Sequence, residues 1–467
     1  MSSPIAFDSE DQSNAIREAI GRTEPKSLRT FTPSQAVLAK SAGCFHWTPE
    51  GRRLYDYTSG VLVTNLGHNP RAWFERLGKE MGWTGESFSG GEGYFEASTL
   101  SAYNAITPIE QRAVERLLQS VRGTQYGANL DMICWAASGS EAVQKALWAC
   151  LNRDPQRNLI LATRFGFHGK KGLSNAVTGS ERDPERDPRV KFITFPMDEI
   201  CDVENDFDQI DLTPFRNELD ALWKEHGSKI GCLITEPYLG GGGSYHPPKQ
   251  YLQLLERFCA EHEILFVLDE VQANFGRTGK MYAFEKYEIA PDFVCLGKGL
   301  GNGVPVAAVA GRSDVLSLMR YGAASDTWSA SPIACASVIA TLDEFERLDV
   351  INHAAEIGKK ILAGLVRLKE SGLIAQVRGE GMVFGIECAP AGNLPADEVA
   401  NAIVKACYLG EPGGDGIHLL GPLAGKVIRI SPPLTMTHED TDASLELLTR
   451  IVSSQAEKLG AAKVTAG

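Results

Sequence analysis

The stretch Ile264–Gly279, with the sequence ILFVLDEVQANFGRTG, joins an apolar run to a cluster of polar groups. Residues Ile264–Leu268 are continuously apolar, which is typical of a strand buried on both faces. Asp269 and Glu270 follow at once, and an acidic pair at the end of a buried strand is costly unless it has partners. We therefore interpret Asp269 as a site residue, with a metal ligand or a structural salt bridge as the alternatives.

Similar apolar runs lie on both sides of this stretch and alternate with helical patterns. The other runs predicted as strands are Met132–Ala137, Asn158–Thr163, Lys191–Phe195, Gly231–Thr235 and Phe293–Leu296. Between them, Glu141–Leu151 and Tyr251–His262 carry apolar residues at helical spacing. This alternation predicts an α/β fold with a doubly wound, mainly parallel sheet. In such sheets the functional groups gather at the carboxyl ends of the strands.

The pattern changes near residue 333, and this change sets the predicted domain boundaries. Residues 71–332 are predicted to form the large sheet domain, and residues 333–467 a smaller α+β domain. Its expected helices are Cys335–Arg347 and Ile351–Glu370, and strands are expected at Ala375–Cys388 and Val427–Ile430. Residues 1–70 are predicted to form an N-terminal arm that belongs in part to the small domain.

The composition excludes several classes of protein. The 467 residues carry 46 basic and 59 acidic side chains, a net charge of −13, which argues against a nucleic-acid binder. The N-terminal residues lack the pattern of a signal peptide, and no apolar stretch is long enough to span a bilayer, so we expect a cytoplasmic protein. The cysteines form no CxxC pair and the histidines no HxH or HExxH motif, so no metal site is predicted.

Two strand ends are candidate binding sites for a planar, anionic ligand. Gly139 and Ser140 open a predicted helix, whose free N–H groups and dipole favour an anion, although Ser140 could instead simply cap that helix. Phe167, beside His168 on the loop after another strand, could stack on a planar ring or serve only in packing.

Lys298 follows the strand Phe293–Leu296 and is flanked by glycines. A desolvated and sterically open lysine favours a lowered pKa and imine formation with an aldehyde, with a structural lysine as the alternative. Arg429 lies on a short strand of the small domain, where it could clamp a carboxylate or form an ion pair. A lysine for an aldehyde, a carboxylate for a ring nitrogen, an aromatic for stacking and a helix N-terminus for a phosphate together describe pyridoxal 5′-phosphate (PLP).

Between about residues 35 and 455 the sequence resembles the class III PLP-dependent aminotransferases, a fold type I family. The stretches that carry the resemblance are Leu66–Pro70, Ser138–Ala142, Phe167–Gly169, Glu236–Pro237, Ile264–Gly279, Pro291–Gly299, Val377–Gly381 and Arg429–Pro433. The resemblance implies that Lys298 forms the internal aldimine and shuttles the proton. It also implies that Asp269 keeps the pyridine nitrogen protonated and that Gln272 donates to the ring 3-oxygen.

The same resemblance implies roles for the remaining candidates. Phe167 would stack on the ring, and Gly139 and Ser140 would bind the phosphate. Thr327 matches a threonine that reaches the phosphate in the partner subunit, which implies a homodimer with shared active sites and leaves a tetramer open. Arg429 would take a substrate carboxylate, and Val61 would line the substrate pocket.

The sequence departs from the family pattern around the substrate. Gly241 stands where family enzymes that handle a distal amine carry a glutamate, which normally neutralises the arginine. The other departures are Gln144 for a glutamate, Trp328 for Phe or Tyr, and Ser331-Pro332 for Asn-Pro.

We therefore expect a transaminase that moves an amino group from an ω-amino acid or primary amine to a 2-oxo acid, pyruvate or 2-oxoglutarate, by a ping-pong mechanism. The alternative is a PLP-dependent racemase, epimerase or decarboxylase on the same fold, since these would share every cofactor residue named above. A regulator that binds the cofactor without turnover has no support, because no DNA-binding helix pair or basic patch accompanies the site.

Overall fold

The computed structural model describes residues 5–85, 93–183, 186–205, 207 and 210–461. The chain divides into two compact units. The first unit holds the described residues of Met1–Pro70, Cys201–Val203 and Asn352–Gly467, and the second holds those of Arg71–Ile200 and Glu204–Ile351. The domain boundaries after residues 70 and 332 stay predictions.

Strands and helices alternate along much of the chain, and each kind is numbered from the N-terminus. The strands are β1 (Lys40–Ala42), β2 (Phe45–Trp47), β3 (Arg53–Asp56), β4 (Met132–Ala136), β5 (Leu159–Thr163), β6 (Val190–Ile193), β7 (Ile230–Thr235), β8 (Leu265–Asp269), β9 (Phe293–Leu296), β10 (Ala307–Gly311), β11 (Ile374–Glu380), β12 (Val383–Cys388), β13 (Gly416–His418) and β14 (Val427–Ile430). The helices are α1 (Asp11–Thr23), α2 (Ser59–Leu62), α3 (Arg71–Met81), α4 (Pro108–Arg122), α5 (Gly139–Arg153), α6 (Gly172–Ala176), α7 (Thr213–His226), α8 (Lys249–Glu261), α9 (Ala283–Tyr287), α10 (Ser313–Leu316), α11 (Pro332–Arg347), α12 (Val350–Arg367), α13 (Ala396–Leu409) and α14 (His438–Leu459).

The second unit contains a seven-stranded sheet in the order β4-β10-β9-β8-β7-β5-β6. Only β10 runs antiparallel to its neighbours, so the predicted mainly parallel α/β sheet is confirmed. Every residue of β7 and β8 is buried, which explains why these strands read as continuous apolar runs. The carboxyl ends of β4, β5, β7, β8 and β9 therefore lie along one edge of the sheet.

Helix α5 supplies much of the apolar surface that covers this sheet. Its buried face includes Val143, Ala146, Leu147 and Cys150, which pack in one core with residues of β5, β7, β8 and β9. Complete burial of a leucine or valine side chain contributes roughly 1.5–3 kcal/mol. This packing fixes the start of α5 close to the end of β4. None of the helices in the described ranges is both long and apolar enough to cross a lipid bilayer.

The first unit contains two smaller sheets. One has the order β1-β2-β3-β13, and the other is β11-β12-β14. The predicted strand region Ala375–Cys388 is a hairpin of two strands rather than one strand, and Glu380 pairs with Val383 across its turn. Gly381 makes this tight turn with φ of +55°, a conformation that favours glycine.

Candidate active site

The carboxylate of Asp269 is buried at the end of β8 and is held by two hydrogen bonds. Its Oδ1 accepts from the backbone N–H of Val271 at 3.0 Å, and its Oδ2 accepts from Nδ1 of His168 at 2.7 Å. His168 comes from the loop after β5 and is itself buried. The costly buried charge that the sequence indicated therefore has a partner, and that partner is an imidazole.

Glu236, at the end of β7, connects the loops around this pair. Its Oε2 accepts from the backbone N–H of Phe167 at 2.8 Å, and its Oε1 accepts from Nε2 of Gln272 at 3.3 Å. Burial raises the pKa of Glu236 to about 7. Sequence reasoning gave Glu236 no role of its own, although an acidic residue directly after a buried strand is the signal that singled out Asp269.

Phe167 presents its ring beside this network. Its side chain is 40% exposed although its backbone N–H is held by Glu236. A Cβ atom added at Gly241 would lie 3.1 Å from Cβ of Phe167, so a larger residue at position 241 would press on the phenyl group. The glycine that departs from the family pattern therefore lies directly against the predicted stacking residue.

The N-terminus of α5 is capped by Ser138 rather than by Ser140. The side chain of Ser138 accepts a hydrogen bond from the backbone N–H of Glu141 at 3.3 Å, so the alternative in which Ser140 caps the helix is wrong. The hydroxyl of Ser140 instead lies 2.7 Å from that of Ser174. Ser140 is thus available at the first turn of a 15-residue helix, whose dipole favours an anion.

Two glycines, Gly139 and Gly169, allow neighbouring side chains to pack closely against the N-terminus of α5. A Cβ at Gly139 would lie 2.8 Å from Val271, and a Cβ at Gly169 would lie 2.1 Å from Oγ of Ser140. Gly169 also has φ of +140°, so only glycine fits there. Val271 is in addition near Gly297, where an added Cβ would lie 3.4 Å from its methyl group. Val271 therefore connects the helix start with the residue that precedes Lys298.

Lys298 is half-buried and begins a short 3₁₀ turn, Lys298–Gly301, after β9. Its φ is +47°, a left-handed conformation that costs a non-glycine residue about 1–2 kcal/mol. The carbonyl of the preceding Gly297 accepts a hydrogen bond of 3.2 Å from the buried side chain of Asn274. Strain held in place by a buried side chain is a mark of functional positions.

Thr327 lies in an exposed segment that is held by a buried lysine. The Nζ atom of Lys145 donates to Asp326 Oδ2 at 2.6 Å, to the carbonyl of Trp135 at 2.6 Å and to Ser329 Oγ at 3.1 Å. Sequence reasoning missed Lys145, because the apolar residues around it on α5 gave no signal for its distant partner.

Val61 and Arg429 belong to the first unit, whereas the residues described above belong to the second. Val61 is 39% exposed and lies in α2, where all residues from Ser59 to Leu62 have positive φ. Arg429 is buried in β14. The hydroxyl of Ser59 donates to the carbonyl of Ser431 at 2.8 Å, so the turn that carries Val61 is bound to the end of the strand that carries Arg429.

The second unit thus collects the groups that a phosphorylated aldehyde requires. The helix start at Gly139 and Ser140 offers N–H groups and a hydroxyl, and Asp269 offers a buried carboxylate held by His168 and by the backbone of Val271. Lys298 offers an amine on a fixed backbone, and Phe167 an uncovered ring. These donors fit PLP in both number and chemistry.

Comparisons with known proteins agree with this interpretation. The family model described as Aminotransferase class-III matches residues 29–452. An ω-aminotransferase of Caulobacter vibrioides is 29% identical over 91% of this chain and 95% of its own length. An acetylornithine aminotransferase of Caldanaerobacter subterraneus is 26% identical over 91% of this chain and 97% of its own length. A leucine/methionine racemase of Thermococcus litoralis is 27% identical over 95% of this chain and 96% of its own length.

Solved structures share the fold. A Bacillus anthracis aminotransferase superposes with a TM-score of 0.79 at 24% identity, covering 96% of this chain and 100% of that one. The ornithine aminotransferase of Toxoplasma gondii, described with PLP at its active site, has a TM-score of 0.78 at 20% identity and covers 97% of both chains.

Proposed function

The chain belongs to the class-III aminotransferases, and from that premise we propose its substrates, the roles of its residues and its assembly. The activity is PLP-dependent transfer of an amino group from an amine donor to a 2-oxo acid. The proposals below concern what is particular to this chain.

The proposed donor is an ω-amino acid or a primary amine, and the proposed acceptor is pyruvate or 2-oxoglutarate, used in alternate half-reactions. The similarity to an ω-aminotransferase supports this choice. The glycine at position 241 favours the primary amine of these two, because an enzyme for a distal amine is expected to carry a glutamate there. A glutamate would also press on Phe167, given the 3.1 Å separation of the two Cβ positions.

PLP, when bound, supplies an electron-withdrawing ring that stabilises negative charge at the donor carbon. Lys298 is the proposed covalent anchor for the aldehyde, and its amine then moves the proton between the donor carbon and the cofactor carbon. Gly139 and Ser140 are proposed to bind the phosphate through N–H groups and the hydroxyl. Phe167 is proposed to cover one face of the ring.

Asp269 is proposed to keep the ring nitrogen protonated, which requires the carboxylate to stay ionised. The two hydrogen bonds from His168 and Val271 hold the carboxylate in a fixed orientation. Gln272 is proposed to donate to the ring 3-oxygen, and the hydrogen bond with Glu236 orients its amide for this purpose. The observation that carries the proposal is therefore the two hydrogen-bonded pairs, His168 with Asp269 and Glu236 with Gln272, on the loops around Phe167.

A homodimer is the proposed assembly, with Thr327 reaching the phosphate site of the partner subunit. Thr327 is exposed, and the neighbouring Trp328 is 65% exposed, so this segment presents side chains that a partner could cover. The contacts of Lys145 support the proposal, because they hold the segment in one conformation before any partner binds. A cytoplasmic location stays a prediction.

The test is the absorption spectrum of the purified protein with PLP. The yellow band of lysine-bound PLP should bleach when an ω-amino acid or amine is added and return with pyruvate or 2-oxoglutarate. Lys298→Ala should bind PLP without that band and lose transamination, whereas the exposed-lysine control Lys280→Ala should retain both. Normal turnover by Lys298→Ala would refute the proposed mechanism.

A racemase is the second candidate, because one relative of similar identity carries that activity. The same experiment separates the two. A racemase would retain the yellow band with every donor while inverting the configuration of an amino acid, which chiral chromatography detects.

A further inference from the structure

A second cluster of polar groups lies in the first unit, apart from every residue assigned above. It consists of His46 on β2, Asp56 at the end of β3 and His68 after α2. One ligand atom from each of the three side chains lies within 4.8 Å of the other two. His46 is 3% exposed and Asp56 is fully buried, so the cluster is shielded from bulk water.

Nε2 of His46 faces this cluster and makes no hydrogen bond to the described residues. Nδ1 of His46 lies 2.7 Å from Oγ of Ser41, which fixes the ring. Its buried Nε2 therefore points toward Asp56, whose Oδ1 is 3.5 Å away, and makes no hydrogen bond within the described residues. A buried imidazole nitrogen in this state has lost water without gaining a partner.

The other two members already form a pair. Nε2 of His68 donates to Oδ2 of Asp56 at 2.8 Å. The site therefore offers a carboxylate and two imidazoles, which are among the ligands that zinc and similar ions prefer.

We propose that His46, Asp56 and His68 bind a divalent transition-metal ion, with zinc as the first candidate. Zinc with nitrogen and oxygen ligands at about 2.0–2.2 Å places neighbouring ligand atoms roughly 3.3 Å apart in a tetrahedron. Oδ1 of Asp56 already accepts hydrogen bonds from the N–H and the hydroxyl of Thr58 and from the N–H of Ser59, so Oδ2 is the proposed ligand atom. His68, now 2.8 Å from Oδ2, moves outward by a few tenths of an ångström as its proton is replaced by the metal. With the ion on Nε2, the Nδ1–H of His46 would donate to Oγ of Ser41, which lies 2.7 Å away, and this is the outer contact usual for ligating histidines.

A zinc ion with these three protein ligands would take a fourth ligand. The ring of His418 lies edge-on to that of His46, with 5.4 Å between their centroids, and its Nδ1 is buried without a hydrogen bond to any described residue. We assign this fourth ligand to a water molecule, with the ring of His418 packed beside His46. The ion joins β2, β3 and the segment around His68, so its consequence is a more stable first unit. This proposal is independent of the aminotransferase function.

The test uses the intact PLP-loaded enzyme after treatment with a chelator. Added Co²⁺ should produce visible d–d bands that saturate at one ion per subunit, and Zn²⁺ should displace it. At a hundredfold excess over Kd, Zn²⁺ should raise Tm by roughly 3–5 °C. His46→Leu should lose the bands and the Tm shift, while His226→Leu, at the end of α7, should retain both. His46→Gln serves as a second variant if His46→Leu does not fold.

Three results would overturn the proposal. One is a wild-type enzyme without Co²⁺ bands and without a Tm shift. Another is unchanged binding in a folded His46 variant. The third is an intense near-ultraviolet thiolate band, which would place the ion on cysteines instead.

Discussion

Nδ1 of His168 and Oδ2 of Asp269 are 2.7 Å apart, although the two residues are 101 positions apart in the chain. His168 follows β5 and Asp269 ends β8, so the order of the sheet brings them together. The hydrogen bond fixes the orientation of the carboxylate. His168 is therefore a positioning residue that acts through Asp269.

Replacing His168 tests this relationship. His168→Phe should lower kcat at saturating PLP and weaken PLP binding by about 10- to 100-fold, because a hydrogen bond to a charged group contributes about 1.5–3 kcal/mol. His168→Asn retains a side-chain N–H and should be affected less. A PLP titration followed by absorbance and a steady-state assay measure both effects. Equal defects in the two variants would mean that packing, rather than the hydrogen bond, is what matters.

Lys145→Met should release the segment that carries Thr327. The variant leaves Asp326 without its ammonium partner. Because Asp326 is partly exposed, we expect the free energy of unfolding to fall by about 3 kcal/mol or less. The expected results are weaker PLP binding and a higher fraction of monomer in sedimentation experiments. Asp326→Asn keeps an oxygen for Lys145 and should be milder. A Lys145→Met enzyme that dimerises and binds PLP normally would contradict the proposed role of this segment.

Arg429 is the proposed contact for a substrate carboxylate, so Arg429→Ala should weaken the binding of substrates that carry one. Loss of a charge-assisted contact should raise KM for 2-oxoglutarate by about 10- to 100-fold, with a much smaller change for simple amines. Arg429→Lys keeps the positive charge but loses the planar guanidinium with its two parallel N–H donors. Its KM for 2-oxoglutarate should therefore lie between those of wild type and Arg429→Ala. Steady-state kinetics with both substrate types measure the difference. An equal change for both would remove Arg429 from the substrate site.

The raised pKa of Glu236 predicts that the free energy of unfolding depends on pH. Burial raises its pKa from 4.5 to about 7, so between these pH values the folded protein without PLP holds a proton that the unfolded chain has released. Its contribution to stability is therefore complete below pH 4.5 and is lost as the pH rises through 7. The slope approaches about 1.4 kcal/mol per pH unit for one proton.

The matched variant is Glu236→Gln, which keeps the shape and cannot titrate. Urea unfolding of the PLP-free enzyme across this range should show a flatter pH profile for the variant than for wild type. Parallel profiles would show that Glu236 is ionised throughout.

Six of the seven strands of the large sheet were predicted from their apolar runs, whereas β10, with the sequence AAVAG, was missed although every residue of it is buried. β8 and β9 appear within one residue of the predicted bounds, and their apolar runs leave no other interpretation. The residue that caps the N-terminus of α5 was harder to predict, since Ser138 and Ser140 both flank Gly139. The choice depends on which serine has extended backbone angles, and Ser138 does, with φ of −147° and ψ of 156°.

Pairs that are distant in sequence could not be predicted. Lys145 and Asp326 are 181 positions apart, and nothing near either residue indicates the other. The same holds for His46 and His68, which lack any metal-binding spacing; a backbone bridge between Gly43 and His68 brings His68 beside β2. Such contacts follow from strand order, which one sequence does not state.

The hydrogen bond between Ser59 and Ser431 has a consequence for how this enzyme could change its specificity. This bond joins the turn with Val61 to the end of the strand with Arg429, so we expect a displacement of one segment to disturb the other. Substitutions at the two positions should then be energetically coupled. Laboratory evolution toward a new amine is expected to select changes in these two segments as pairs, and rarely in one segment alone.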